Sequence, residues 1–212
     1  EATDRVLPMM PESLREETVN VLRKKNVDVR LSTQVMDYDG EKLTLKSGEI
    51  VPTNTVIWAA GVKAVPVIAK LGAETDRAGR VIVRKNLQVP GCEDVFAIGD
   101  SAHFLQGERP LATIAPVATH EAEVCAKNIL HAIKGESMEA FTYHDVGSMA
   151  TIGCGDAVMA KGILKGKGFV AWSAWLWVHL IRLAGTHANT TVTLKWIWNY
   201  LGGTRLGRII TQ

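Results

Sequence analysis

The chain has 212 residues, 47% of them hydrophobic, which is ample for one large or two small domains. Its net charge of +2 hides a split: residues 1–160 hold 17 Lys and Arg against 22 Asp and Glu, while residues 161–212 hold seven Lys and Arg and no acid. The three cysteines, Cys92, Cys125 and Cys154, are odd in number and never form a Cys-x-x-Cys pair, which excludes a disulfide framework and a dithiol centre and points to a reducing compartment and buried thiols.

No secretory signal is visible at the start, and without an initiator Met the chain reads as a fragment. Ser13-x-x-Glu16 is a capping box that opens a helix running to about Lys25, with Leu14, Val21 and Leu22 on its apolar side. Val27–Leu31 alternates as a strand should. Asp39-Gly40 is a hairpin signal between Val35–Tyr38 and Lys42–Leu45. Thr55–Ala59 reads as a buried strand ended by Ala60-Gly61, and Val62–Leu71 as a connector with a helical turn or two.

The stretch from Arg80 to Phe104 is the most informative. It reads as a hairpin turning at Pro90-Gly91, then a strand Asp94–Ile98 that runs into Gly99-Asp100-Ser101-Ala102. A glycine there lets a ligand approach the backbone, and the next carboxylate stands where open α/β sheets bind ligands. Pro110–Pro116 leads into a helix over Val117–Ile133, whose N-terminus presents unpaired amides and the positive end of a dipole. Residues 141–163 alternate around the turn Gly153–Asp156 as a hairpin, and His144, Asp145 and Cys154 match no metal-ligand spacing.

The tail carries five of the six tryptophans: Trp172, Trp175, Trp177, Trp196 and Trp198. Phe169–Leu183 is apolar nearly all round but shorter than the roughly 20 residues of a membrane-spanning helix. After a break at Gly185-Thr186, Thr190–Leu201 supplies more aromatics, ending in Tyr200. Interfacial helices lying on a bilayer account for the tryptophans, the single-sign charge and the length together. A core hairpin, a dimer interface and a short spanning hairpin compete with that reading. The basic residues are too sparse for a nucleic-acid groove, so no nucleic-acid partner is expected.

The Gly99-Asp100 segment resembles the second flavin-binding motif of two-dinucleotide-domain flavoproteins. With Glu1–Pro8, Trp58–Val62, Ala115–Ala118 and the Trp-rich tail in the same order, the chain resembles the C-terminal half of type II NADH dehydrogenases, non-pumping NADH:quinone oxidoreductases. That resemblance implies an α/β fold, part of a two-dinucleotide-binding (Rossmann-like) flavoprotein with a membrane-associating helical tail. It implies four regions: 1–62 from the NAD domain, 63–140 from the FAD domain, a small β region 141–168, and the membrane segment 169–212. FAD is the implied cofactor and NADH the co-substrate. Gly99 and Asp100 would hold the ribityl chain, and backbone groups of Pro116, Val117 and Ala118 would face the flavin ring. Glu1 would bind the adenine ribose, and Ala60-Gly61 would lie near the nicotinamide. The family's quinone signature carries two glutamines in this helix; here Pro116 and His120 stand in their places. A histidine can still donate a hydrogen bond to a quinone carbonyl. The implied setting is peripheral, on the cytoplasmic face of a membrane, with homodimerisation left open. Neither G-x-G-x-x-G fingerprint occurs in the chain, so these residues alone are expected to bind NADH poorly, to bind FAD weakly if at all, and to show no turnover. Two rivals share much of the sequence: a soluble reductase of a ferredoxin-like carrier, and a membrane-binding module without enzymatic activity.

Overall fold

The computed structural model describes residues 1–182, 190–196 and 198. The expected break at Gly185-Thr186 and the aromatic Tyr200 lie outside the described residues. The chain divides into two compact units, one made of Glu1–Thr55 with Gly147–Gln212 and the other of Val56–Val146.

In the first unit, α1 (Glu12–Lys24) is followed by a three-stranded antiparallel meander, β1 (Val35–Tyr38), β2 (Lys42–Leu45) and β3 (Ile50–Pro52). The β1–β2 turn forms where Asp39-Gly40 predicts it, because the Asp39 carboxylate accepts the backbone N–H groups of Glu41 and Lys42 at 3.0 and 2.9 Å. The capping box is misplaced: Pro11 is the N-cap, its carbonyl accepts the amides of Leu14 and Arg15, and Ser13 is already inside the helix. Val27–Leu31, expected as a strand, forms none. Its segment is held instead by single bonds, such as Glu1 N–H to the Arg30 carbonyl and Thr33 N–H to the Glu1 carbonyl.

The second unit begins with a 3₁₀ turn (Pro66–Leu71) and then short strands: β4 (Val81–Ile82), β5 (Gln88–Val89), β6 (Cys92–Phe96), β7 (Ala102–His103), β8 (Leu105–Gln106) and β9 (Arg109–Pro110). The β5–β6 hairpin turns at Pro90-Gly91 as expected, although β6 begins and ends two residues before the predicted Asp94–Ile98. β4 and β7 pair in parallel, Val81 opposite Ala102 and Ile82 opposite His103. The strand expected over Thr55–Ala59 does not form. A buried strand needs neighbours to receive its amides and carbonyls, and the backbone between Val56 and Lys63 has no backbone hydrogen bond among the described residues. Ile57 and Trp58 are accordingly exposed, Trp58 at 69%.

The long helix α2 (Ala115–Lys134) completes this unit, with Pro116 in its first turn and Gly135 closing it in the left-handed conformation, φ 71°. It buries Val117, Glu121, Cys125 and Asn128, one face at helical spacing, against a core of Leu87, Phe104, Phe141 and Tyr143. A second cluster joins Ile68, Val81 and Val89.

The chain then returns to the first unit as a second antiparallel sheet, β10 (Ser148–Gly153), β11 (Asp156–Lys161) and β12 (Leu164–Lys167), followed by α3 (Gly168–Arg182). The predicted turn at Gly153–Asp156 joins β10 to β11. Cys154 is exposed on it, against the expectation of a buried thiol, whereas Cys125 is buried. Met10 and Leu14 pack on Val158, and the ion pairs Lys25–Asp156 (2.7 Å) and Lys167–Glu17 (2.9 Å) tie α1 to this sheet.

Candidate functional site

In the second unit, β6 delivers the chain to a single turn of 3₁₀ helix at Gly99–Ser101. Gly99 has φ 62°, a left-handed conformation costly for any residue with a side chain. A Cβ there would also stand 3.3 Å from the Ala118 Cβ on α2. The Ser101 hydroxyl donates to the Ile98 carbonyl at 2.7 Å and closes the turn. Asp100 is exposed, and its carboxylate has no hydrogen-bond partner among the described residues. An unengaged acceptor beside a glycine held against a helix is what a ribityl hydroxyl requires, so these residues fit FAD.

The helix beyond the turn presents its N-terminus more sparingly than expected. Pro116 has no N–H, and the amides of Val117 and Ala118 both donate to the Ile114 carbonyl, at 3.0 and 3.2 Å. Ala115 supplies the first-turn amide without a carbonyl partner among the described contacts. One turn on, His120 lies on the same face as Pro116, four residues before it. Its ring sits 5.6 Å from that of Tyr143 at 44°. Tyr143 is clamped through its backbone by the Gln106 side chain, which accepts its N–H at 2.7 Å and donates to its carbonyl at 3.1 Å. The Tyr143 hydroxyl is buried with no partner among the described residues.

Sequence reasoning missed two features here. Glu121 is 2% exposed, and its carboxylate accepts the Gly99 N–H at 2.6 Å. Burial pushes this carboxyl up, the Gly99 N–H pulls it partly back, and the Asp100 charge adds to the rise. A glutamate in a helix ordinarily reads as a solvated residue, so only its place on the Val117–Cys125 stripe could have marked it. The second feature is Asp76. It accepts the amides of Ala78 and Arg80, the Arg80 Nε at 2.7 Å and the His103 Nδ1–H at 2.9 Å. Burial alone would raise its carboxyl, but these four donors hold it far below the usual carboxylate range.

The remaining candidates stand apart. Ala60 and Gly61 belong to the second unit but to its unpaired stretch, and both are exposed. Glu1 lies in the first unit, where one carboxylate oxygen accepts the Thr3 amide (3.0 Å) and hydroxyl (2.9 Å), bonds that lower its pKa. A groove of about 360 Å³ along α1, lined by Asp4, Arg5, Glu12, Arg15 and Glu16 among others, contains none of the residues expected to bind cofactor or quinone.

On α3, Val170, Trp177 and Ile181 are exposed and share one face, spaced seven and four apart, with Trp177 at 66%. Ile163, in the turn between β11 and β12, and Leu164, which begins β12, add exposed apolar surface. Trp172, Trp175 and Trp196 are half-buried; Trp175 stacks on His179 at 3.8 Å and on Trp196 at 6.4 Å, while Trp198 is exposed. Among the described residues no helix is long and apolar enough to cross a membrane.

Residues 1–122 match the sequence profile of the pyridine nucleotide-disulphide oxidoreductases. Over 220 residues the chain is 33% identical to the type II NADH:quinone oxidoreductase Ndh of Mycobacterium tuberculosis, covering 99% of the chain and 46% of that protein. It is 35% identical to NdhA of the same organism, over 100% of the chain and 47% of the relative. A Staphylococcus aureus type II NADH:quinone oxidoreductase is 34% identical over 79% of the chain and 42% of its own length. The chain thus spans about half the length of the curated relatives it matches. Among solved structures, NDH2 from Plasmodium falciparum in complex with NADH superposes with a TM-score of 0.85 at 16% identity, over 98% of this chain and 58% of the other, a likeness of fold.

Proposed function

Because this chain belongs to the pyridine nucleotide-disulphide oxidoreductase family, we propose that it forms part of an FAD-dependent NADH:quinone oxidoreductase working at a membrane surface. The observation that carries this reading is the reach of the likeness to the mycobacterial enzymes. It covers 99–100% of the chain, so it includes the Trp-rich tail beyond the 122 residues of the family match.

The chemistry that bound FAD supplies is the passage of two electrons from the hydride of NADH to a quinone. The chain's own residues bind and orient. The Asp100 carboxylate accepts a hydrogen bond from a ribityl hydroxyl, and Gly99 leaves room for the chain to pass. With FAD bound, the Ala115 amide and the positive end of α2 would favour negative charge on the ring, and Pro116, Val117 and Ala118 would face it. His120 donates a hydrogen bond to a quinone carbonyl and holds a proton for it, packed against Tyr143 and on the same face as Pro116. Glu1 accepts the adenine ribose hydroxyls with its second carboxylate oxygen, which favours NADH over a 2′-phosphorylated cofactor. Ala60 and Gly61 approach the nicotinamide. The exposed face of α3, with Trp177, and Trp198 beyond it, rest in the headgroup layer, where the tail's Lys and Arg meet anionic lipid.

The test is NADH oxidation by the full-length protein in liposomes, with and without added quinone. Oxidation that depends on quinone and rises with vesicle binding supports the reading. Oxidation indifferent to quinone and to vesicles sinks it in favour of a soluble reductase of a carrier protein.

A further inference from the structure

Of the carboxyl side chains in α2, Glu121 is the one the fold buries, although electron transfer does not call for it. A carboxyl in such a place is costly unless something there uses it. Its Oε2 takes the Gly99 N–H at 2.6 Å, while Ala118, one turn earlier on the same helix, packs against the Cα side of Gly99. Gly99 is therefore gripped from two directions by two residues three apart on α2. The turn has no other side chain from outside it bonded to its backbone among the described contacts, since Ser101 bonds locally to Ile98.

We propose that Glu121 is a positioning residue of the flavin site: its carboxyl locks the Gly99 amide so that the left-handed turn keeps Asp100 aimed at the ribityl chain. This rests on the flavin reading of that turn. A neutral amide side chain could satisfy the Gly99 N–H without the cost of burying an acid, so the acid carries a second property. Asp100 faces it from the turn, and the Cys125 thiol, which burial pushes up and the Glu121 charge pushes further, lies one turn along α2. The core beneath the helix holds one further ionisable group, the Tyr143 phenol, with the neutral Asn128 amide on the same buried face of α2. Ionising Glu121 places a second negative charge behind Asp100, at a site meant to receive a cofactor that carries phosphates and becomes more negative on reduction. The grip on Gly99 survives ionisation, while the electrostatic welcome for the flavin does not. FAD affinity therefore falls as pH rises through the titration of Glu121.

The experiment measures FAD dissociation from the full-length protein by flavin fluorescence between pH 5 and 9, for the wild type, Glu121→Gln and Glu121→Leu. Thermal unfolding of each apoprotein checks folding. Gln keeps an acceptor for the Gly99 amide and is expected within about threefold of the wild type at low pH, with no fall as pH rises. Leu leaves that amide unpaired and is expected to weaken FAD binding by about tenfold or more. Equal affinity of Leu and wild type, or a pH dependence that persists in the Gln variant, overturns the inference. If the Leu variant does not fold, the pH profile of the Gln variant decides alone. A wild-type protein that binds no FAD overturns the flavin reading itself, a result distinct from wild-type binding that Glu121 does not govern.

Discussion

Gly99→Ala tests the geometry of the flavin turn without any ligand. The backbone at φ 62° costs an L-residue roughly 1–2 kcal/mol. The new Cβ would lie 3.3 Å from the Ala118 Cβ, so α2 must yield by a few tenths of an ångström, an overpacking cost of about 1 kcal/mol at the low end of the usual range. The two together predict a loss of about 2–3 kcal/mol, or roughly 4–12 °C in Tm for a protein of this size. Urea and thermal denaturation followed by circular dichroism measure it. The two contributions separate in an Ala118→Gly background, where the crowding disappears and Gly99→Ala should cost about 1 kcal/mol less. A cost under about 0.5 kcal/mol in both backgrounds refutes the strained-turn argument. An identical larger cost in both leaves the backbone argument standing and refutes the packing one.

Asp76→Ala should destabilise the protein by about 3–5 kcal/mol, because it strands Arg80 and two backbone amides, and Asp76→Asn should cost less. The carboxyl's value is depressed on folding, so its stabilisation is present above the ordinary value of 3.8 and lost as pH falls below it. Tm measured from pH 5 to pH 2 should therefore drop more steeply in the wild type than in Asp76→Asn. Tyr143→Phe removes a buried hydroxyl with no hydrogen-bond partner among the described residues and should leave stability unchanged or raise it by up to about 1 kcal/mol, and a loss above that in denaturation would mean the hydroxyl has a partner. Trp177→Glu with Ile181→Glu, on the exposed face of α3, should lower retention on anionic lipid vesicles by about tenfold in a sedimentation assay while leaving the unfolding midpoint within a few degrees.

What could be read from the residues was local chemistry. Asp39-Gly40, Pro90-Gly91 and Gly153–Asp156 each set their own turn through side-chain bonds or backbone conformation, and all three turns are where the sequence puts them. The Gly99-Asp100 turn and α2 were legible for the same reason. What was misread depends on partners. Val27–Leu31 and Thr55–Ala59 carry strand patterns, but a pattern states which face is apolar and leaves open which neighbour accepts the hydrogen bonds. The helix start moved from Ser13 to Pro11 because a proline carbonyl served where a hydroxyl cap was expected. The Glu121–Gly99 bond and the Asp76–His103 contact were missed because each joins residues more than twenty positions apart, and no spacing rule connects them.

Trp58 stands alone. The other five tryptophans lie at or beyond residue 172, so it is the one indole in the second unit, and it sits in the stretch whose backbone is unpaired. At 69% exposure its emission should be red-shifted and open to quenching by iodide. Anything that covers this stretch, whether dinucleotide or polypeptide, would shift that emission toward the blue and shield it from the quencher. With the five tail tryptophans replaced by phenylalanine, the protein carries its own optical gauge of whether residues 56–63 are covered, with no dye attached.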